Sequence, residues 1–124
     1  MTAYIDLDGF LVLAEIPLGR PPDVRDTGLL QSALGRPAAR AFGADAYPDL
    51  PSKAAALLQS LACNQALIDG NKRCAWVATR TFLRLNGADM AISQDEAYQL
   101  VMDVATGQTL EIAKIAEVIA QNLT

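Results

Sequence analysis

Two apolar helical stretches joined by a short polar break limit the possible folds more than any other feature of this chain. From Pro51, a favourable first-turn residue, Ala54, Leu57, Leu58, Leu61 and Ala62 recur at the spacing of one helix face. That spacing predicts a core helix running to about Leu67, where Asp69-Gly70-Asn71 breaks the pattern. Ala75, Ala78, Phe82 and Leu85 resume it, and Asn86-Gly87 supplies a C-terminal stop. Two such helices each need another apolar face to bury against.

The flanking segments supply those faces. Ile5, Leu7, Phe10, Leu11 and Ala14 read as a first helix that Pro17 should end. Asp26 or Thr27 can cap a short helix through Leu29, Leu30 and Leu34, stopped by Gly35 and Pro37. Ser93 and Glu96 form a capping box ahead of Ala97, Leu100, Val101, Val104 and Ala105, and Gly107 follows. Thr109 is placed to cap a last helix whose apolar face is Ile112, Ile115, Ala116, Ile119 and Leu123. Alternation of period two is scarce. The expected fold is therefore all-α, a single-domain helical bundle of about six helices over residues 1–124. Tyr47 precedes Pro48 and is biased away from the helical region, which makes residues 44–50 a candidate short extended flap.

Composition excludes several classes of function. With 52% hydrophobic and 19% charged residues, the chain is too apolar for disorder and too interrupted by charge for a bilayer span. Ten Lys and Arg against fourteen Asp and Glu leave a net charge of −4, so DNA binding by the chain itself is not expected. The start MTAYIDLDGF carries acids instead of the basic segment of a secretory signal, and a cytoplasmic protein with no membrane role is the expectation. The chain contains no His, which removes His-based zinc sites, Ser-His and Cys-His dyads, and any imidazole base. Cys63 and Cys74 lie in helical stretches and read as small buried hydrophobes.

The chemistry-bearing stretch is Asn64 to Arg73. A helix beginning near Asn71 leaves its first backbone N–H groups without internal partners, and its dipole favours an anion there. Gly70 permits a positive φ and close approach of a ligand, while Asp69 or Asn71 can cap the next turn. Lys72 and Arg73 then sit in the first turn, where each cation opposes the dipole by about 0.3–1 kcal/mol. Phosphate groups held by amides, by Lys72 and by the Arg73 fork would make that placement favourable. Asp69 would then suit a Mg²⁺ between phosphates, because a hard cation takes carboxylate oxygen. The same residues also read as an ordinary surface turn with solvated cations. Gln65, seven residues after Leu58, falls on the apolar face of a continuing helix, either bonded to backbone carbonyls or aimed at the anion site. Arg73, Arg80 and Arg84 share one stripe of the second helix, as a solvated face commonly does.

At these residues the sequence resembles the Fic/Doc family, and its short Doc-type branch in particular. The family signature is His, any residue, an apolar residue, any residue, Asp or Glu, Gly or Ala, Asn, Gly or Lys, Arg. The corresponding frame here is Gln65-Ala66-Leu67-Ile68-Asp69-Gly70-Asn71-Lys72-Arg73. The resemblance extends upstream through Arg25 to Leu30, Ser32 to Leu34, Arg36-Pro37 and Tyr47-Pro48, and downstream through Phe82-Leu83 and Leu85 to Gly87.

The resemblance implies an all-helical bundle with the motif between two central helices. It implies a toxin of a toxin–antitoxin pair that moves the γ-phosphoryl of ATP to a threonine hydroxyl of elongation factor Tu and blocks translation. Lys72 falls on the kinase side of the family, where members with Gly at that position mostly transfer AMP. Carried over by position, Asp69 is the Mg²⁺-associated acid, Gly70 and Asn71 form the anion-binding turn, and Lys72 and Arg73 hold phosphates. The implied partner is a Phd-like antitoxin whose disordered C-terminal segment folds as a helix in a groove. The six acids against one Lys after Leu85 are a place where a basic segment could dock, or simply a solvated acidic face.

One departure is decisive for activity: Gln65 stands where the family has its proton-accepting His. An amide holds a hydroxyl by hydrogen bonding and cannot act as a general base, a loss of about 10²–10⁴ in rate. The chain is expected to be disabled as a catalyst, as a natural pseudoenzyme that binds nucleotide or a partner, or as an inactivated copy of a toxin.

Overall fold

The computed structural model describes residues 1–108 and 111–124. Among the described residues seven α-helices follow in order: α1 (Leu7–Leu13), α2 (Glu15–Leu18), α3 (Thr27–Gly35), α4 (Leu50–Cys63), α5 (Asn71–Leu85), α6 (Gln94–Ala105) and α7 (Ile112–Gln121). All but the four-residue α2 have seven residues or more, which agrees with the all-α bundle of about six helices. The only sheet among the described residues is a hairpin of β1 (Arg40–Ala41) and β2 (Ala44–Asp45). The extended segment therefore begins earlier than the expected flap at 44–50 and is over by Asp45, and Leu50 already belongs to α4.

α4 is the central element. Asp49 accepts a bond from Ser52 N and opens it, and nine of its residues, Lys53–Leu58 and Ser60–Ala62, are buried on all sides. α3, α5, α6 and α7 pack around it, so Leu57 and Leu58 share one core with Leu30, Phe82, Val104, Ile115 and Ile119. The three buried polar side chains among the described residues are all bonded. Ser60 Oγ accepts from Arg36 Nη1 at 3.0 Å, Thr79 Oγ1 donates to Ala75 O at 2.7 Å, and Lys53 Nζ donates to Pro37 O at 3.3 Å. Lys53 Nζ also lies 3.4 Å from Asp45, which ties the hairpin to the first turn of α4.

Several expectations change on folding. Pro17 does not end the first helix. The chain bends at Ala14 and restarts as α2, where Pro17 is third and its missing N–H has no helical acceptor to lose; Gly19, at φ 69°, makes the stop. Asp26, and not Thr27, caps α3 by accepting from Leu29 N. Leu85 is exposed and Leu83 is buried, because Leu85 lies about 200° round the helix from the core-facing Leu83. The Ser93–Glu96 capping box is present. The Thr109 cap lies outside the described residues, and Glu111 stands at the N-cap of α7 without a side-chain cap bond. No helix among the described residues is long and apolar enough to cross a membrane.

Candidate active site

α4 ends at Cys63, four residues before the expected end, because the next segment is recruited elsewhere. Arg25 N and Asp26 N both donate to Ala66 O, Ile68 N donates to Asp23 O, and Val24 and Leu67 form an isolated antiparallel bridge. Residues 66–68 are thus extended against residues 23–26 and unavailable to a helix. Gln65, expected on the apolar face of α4, instead occupies the left-handed position after the helix C-cap at φ 55° and is exposed. Such a conformation costs a non-glycine residue about 1–2 kcal/mol and must be held by neighbours. The Gln65 carbonyl accepts from Arg25 Nε at 2.8 Å and from Arg25 Nη2. Its side-chain Oε1 accepts from Asn71 Nδ2 at 3.4 Å, so the residue still reaches the turn by a different route.

The turn itself is organised by Asn71 and Gly70. Asn71 does not cap α5. Its Oδ1 accepts from Leu67 N at 3.0 Å and its Nδ2 donates to Leu67 O at 2.8 Å, closing the loop from within. Gly70 occupies the N-cap at φ 80°, and a Cβ there would overlap Leu18 Cδ2. Asp69 does not cap α5 either. Its Oδ2 lies 3.7 Å from Arg73 Nη2 and 3.9 Å from Arg20 Nη2, long contacts between exposed groups.

With no side-chain cap, the backbone N–H groups of Asn71, Lys72 and Arg73 have no acceptor among the described residues, and the first helical bond is Cys74 N to Gly70 O. Lys72 is exposed and forms no ion pair among the described residues. Arg73 Nη1 makes one weak contact of 3.4 Å with Pro17 O. These residues line a 790 Å³ cleft between α5 and α6 together with Trp76, Tyr98 and Met102 and the polar Gln94 and Asp95. That volume suits a small-molecule site, and the combination of an apolar wall with a few convergent polar groups is the usual composition of one. Asp69, with 65% of its side chain exposed and facing the same cleft, is suited to hold a hard cation alongside phosphate oxygens.

The structure places Asp69, Gly70, Asn71, Lys72 and Arg73 on the lining of the cleft, and Gln65, which is not among the lining residues, beside them through its contact with the Asn71 side chain. It separates the arginine stripe into two functions. Arg80 and Arg84 are not free on a solvated face but clamp Asp89, at 2.9 Å and 3.0 Å. The sequence assigns no role to Arg20, and to Arg25 only a place in the stretch that carries the family resemblance; both meet the turn from positions far away in the chain. Cys63 and Cys74 are free thiols, Cys74 buried as expected and Cys63 only partly so, and burial pushes the pKa of both up.

The profile of the Fic/DOC family matches residues 4–83, a span that contains the whole α4–α5 junction. The chain is also 52% identical over 108 residues to a protein of Mycolicibacterium smegmatis named Toxin Doc, covering 86% of this chain and 83% of that one. On that extent of similarity, the chain belongs to the Fic/Doc family.

Proposed function

We propose that the chain is a Doc-type toxin built to transfer the γ-phosphoryl of ATP to a threonine hydroxyl of elongation factor Tu, and that Gln65 leaves this copy catalytically disabled. The observation that carries the proposal is the open first turn of α5, where Asn71, Lys72 and Arg73, whose amides have no acceptor among the described residues, line the cleft. Phosphoryl transfer asks a protein chiefly for positioning and charge neutralisation, which is what this turn offers. In this reading the amides after Gly70 and the Arg73 fork hold phosphate oxygens, and Lys72 adds a point charge. Asp69 exchanges its long contacts with Arg20 and Arg73 for a Mg²⁺, which supplies charge neutralisation between phosphates. The wall of Trp76 and Tyr98 gives a base an aromatic surface to lie on. By its position in the motif, residue 65 is the one that would take the proton of the target hydroxyl, and the amide of Gln65 cannot take it.

A Phd-like antitoxin is the proposed partner, and its place is better supported away from the acidic C-terminal third. Asp89 is held by arginines, Glu96 by its capping box and Asp103 by Gln99, so much of that charge is already engaged. A 510 Å³ groove lined by Leu11, Val12, Pro21, Pro22, Val24 and Ile68, with the acids Glu15 and Asp23 among them, offers a mainly apolar bed for an amphipathic helix.

The test is to make Gln65→His and incubate the protein with Mg-ATP and elongation factor Tu. A mass gain of about 80 Da on a threonine supports phosphoryl transfer; about 329 Da would mean transfer of AMP instead. No modification together with no ATP binding removes the reading. One observation favours a second reading, a nucleotide-binding pseudoenzyme: the site is intact except for its base. Binding of Mg-ATP by the unmodified chain, with no transfer after Gln65→His, would select it.

A further inference from the structure

We infer that Arg25 is a positioning residue that sets the direction in which residue 65 faces the site. Arg25 grips the segment after α4 twice. Its backbone N–H donates to Ala66 O at 2.8 Å, and its guanidinium donates through both Nε and Nη2 to the carbonyl of Gln65. The two grips act on different residues. Residues 66–68 are also held by Asp26 N, by the Asp23 carbonyl and by the Asn71 side chain, so they keep their place without the guanidinium. Residue 65 has no such support: among the described residues no other side chain bonds its main chain, and it stands at φ 55°, where a residue with a Cβ does not rest unaided.

Loss of the guanidinium therefore frees one peptide unit and turns one side chain away, while the anion turn from Gly70 to Arg73 stays formed. Both Nε and Nη2 are committed to a single carbonyl, so the fork is not offered to a phosphate. This inference deepens the transferase reading, and only its kinetic arm rests on that reading.

The absence of His from the chain provides a direct test. Gln65→His introduces the only imidazole of the protein, and its ¹⁵N signals report the tautomer without any need for turnover. With Arg25 present, the Asn71 amide fixes one ring nitrogen as an acceptor and one tautomer dominates. Adding Arg25→Ala should return the tautomer ratio to that of free imidazole. Arg25→Lys, which keeps the charge and one donor, should restore the ratio in part and separates positioning from simple electrostatics. The dissociation constant for Mg-ATP should change by less than about twofold in all of these variants. Where Gln65→His transfers phosphoryl, Arg25→Ala should lower kcat by on the order of 10- to 100-fold with KM for ATP unchanged.

Unchanged imidazole signals after Arg25→Ala would overturn the inference. So would a loss of ATP affinity as large as that caused by Lys72→Ala, which would make Arg25 a phosphate ligand. A Gln65→His protein that transfers nothing, but whose imidazole is still released by Arg25→Ala, counts against the transferase reading alone.

Discussion

The two ends of α5 are made from the same residue types and do opposite things. At its C-terminal end, Arg80 and Arg84 each donate through Nε to a different oxygen of Asp89, and Met90 N adds a third bond at 2.8 Å. These bonds, that of Arg80 first, hold the Asp89 carboxyl well below the usual carboxylate range. Asn86 completes the closure by pairing with Ala3 in both directions and donating to Phe82 O. At the N-terminal end, Arg73 and Arg20 face Asp69 at 3.7 Å and 3.9 Å, and Lys72 and three amides have no partner among the described residues. The closed end has satisfied its charges and serves the fold. The open end keeps cations against an unfavourable dipole, which is consistent with a place kept for a ligand.

Four measurements can break or sharpen that contrast. The largest effect belongs to the open end: Gln65→His should raise phosphoryl transfer by about 10²–10⁴ in a radiolabel assay, the contribution of a general base. Next, Lys72→Ala or Arg73→Ala should weaken Mg-ATP binding by about 10- to 100-fold by calorimetry, as expected for one charge-assisted bond. Thermal stability should hold or rise slightly, since a cation leaves the wrong end of a dipole. Asp89→Ala should do the reverse, lowering Tm and leaving ATP affinity unchanged; an equal loss of affinity would dissolve the distinction between the two ends.

A third measurement compares the glycines that flank α5, Gly70 at φ 80° and Gly87 at φ 81°. Gly87→Ala meets open space and should cost only the left-handed strain, about 1–2 kcal/mol in urea unfolding. Gly70→Ala must also displace Leu18 and should cost more. Equal costs would mean that Leu18 gives way freely. The smallest effect concerns acid. Because the folded-state pKa of Asp89 is lowered, its contribution to stability is complete above the unfolded value of about 3.9 and is lost as pH falls through the lowered one. Asp89→Asn should therefore flatten the fall in stability below about pH 4, measured by urea unfolding across pH.

Local signals were reliable where a residue acts on its own helix. Asp26 and the Ser93–Glu96 box cap the helices that their positions announce, and Gly70 marks the start of α5. The apolar spacing found most of the core, and failed at Leu85, where the buried face drifts to Leu83 at the helix end. The site was legible as a set of residues and misread as a geometry. Gln65 was placed by extending a helix that in fact stops at Cys63, and Asn71 and Asp69 were read as caps although one staples the loop and the other meets arginines.

What the sequence determined by itself is what depends on neighbours within one helical turn: which faces are apolar, where caps and breaks fall, and that two cations stand beside an uncapped helix start. Tertiary structure decided the direction of residue 65, the burial of Lys53 and the division of the arginines between clamp and cleft. The first of these turns on a partner far along the chain, since Arg25 bonds a carbonyl 40 positions later, and the other two turn on partners 5 to 16 residues away that lie on a different element or loop. The competition between one more turn of α4 and pairing with residues 23–26 is settled only when the two segments meet in the folded chain, because neither carries a mark of the other in its own local pattern.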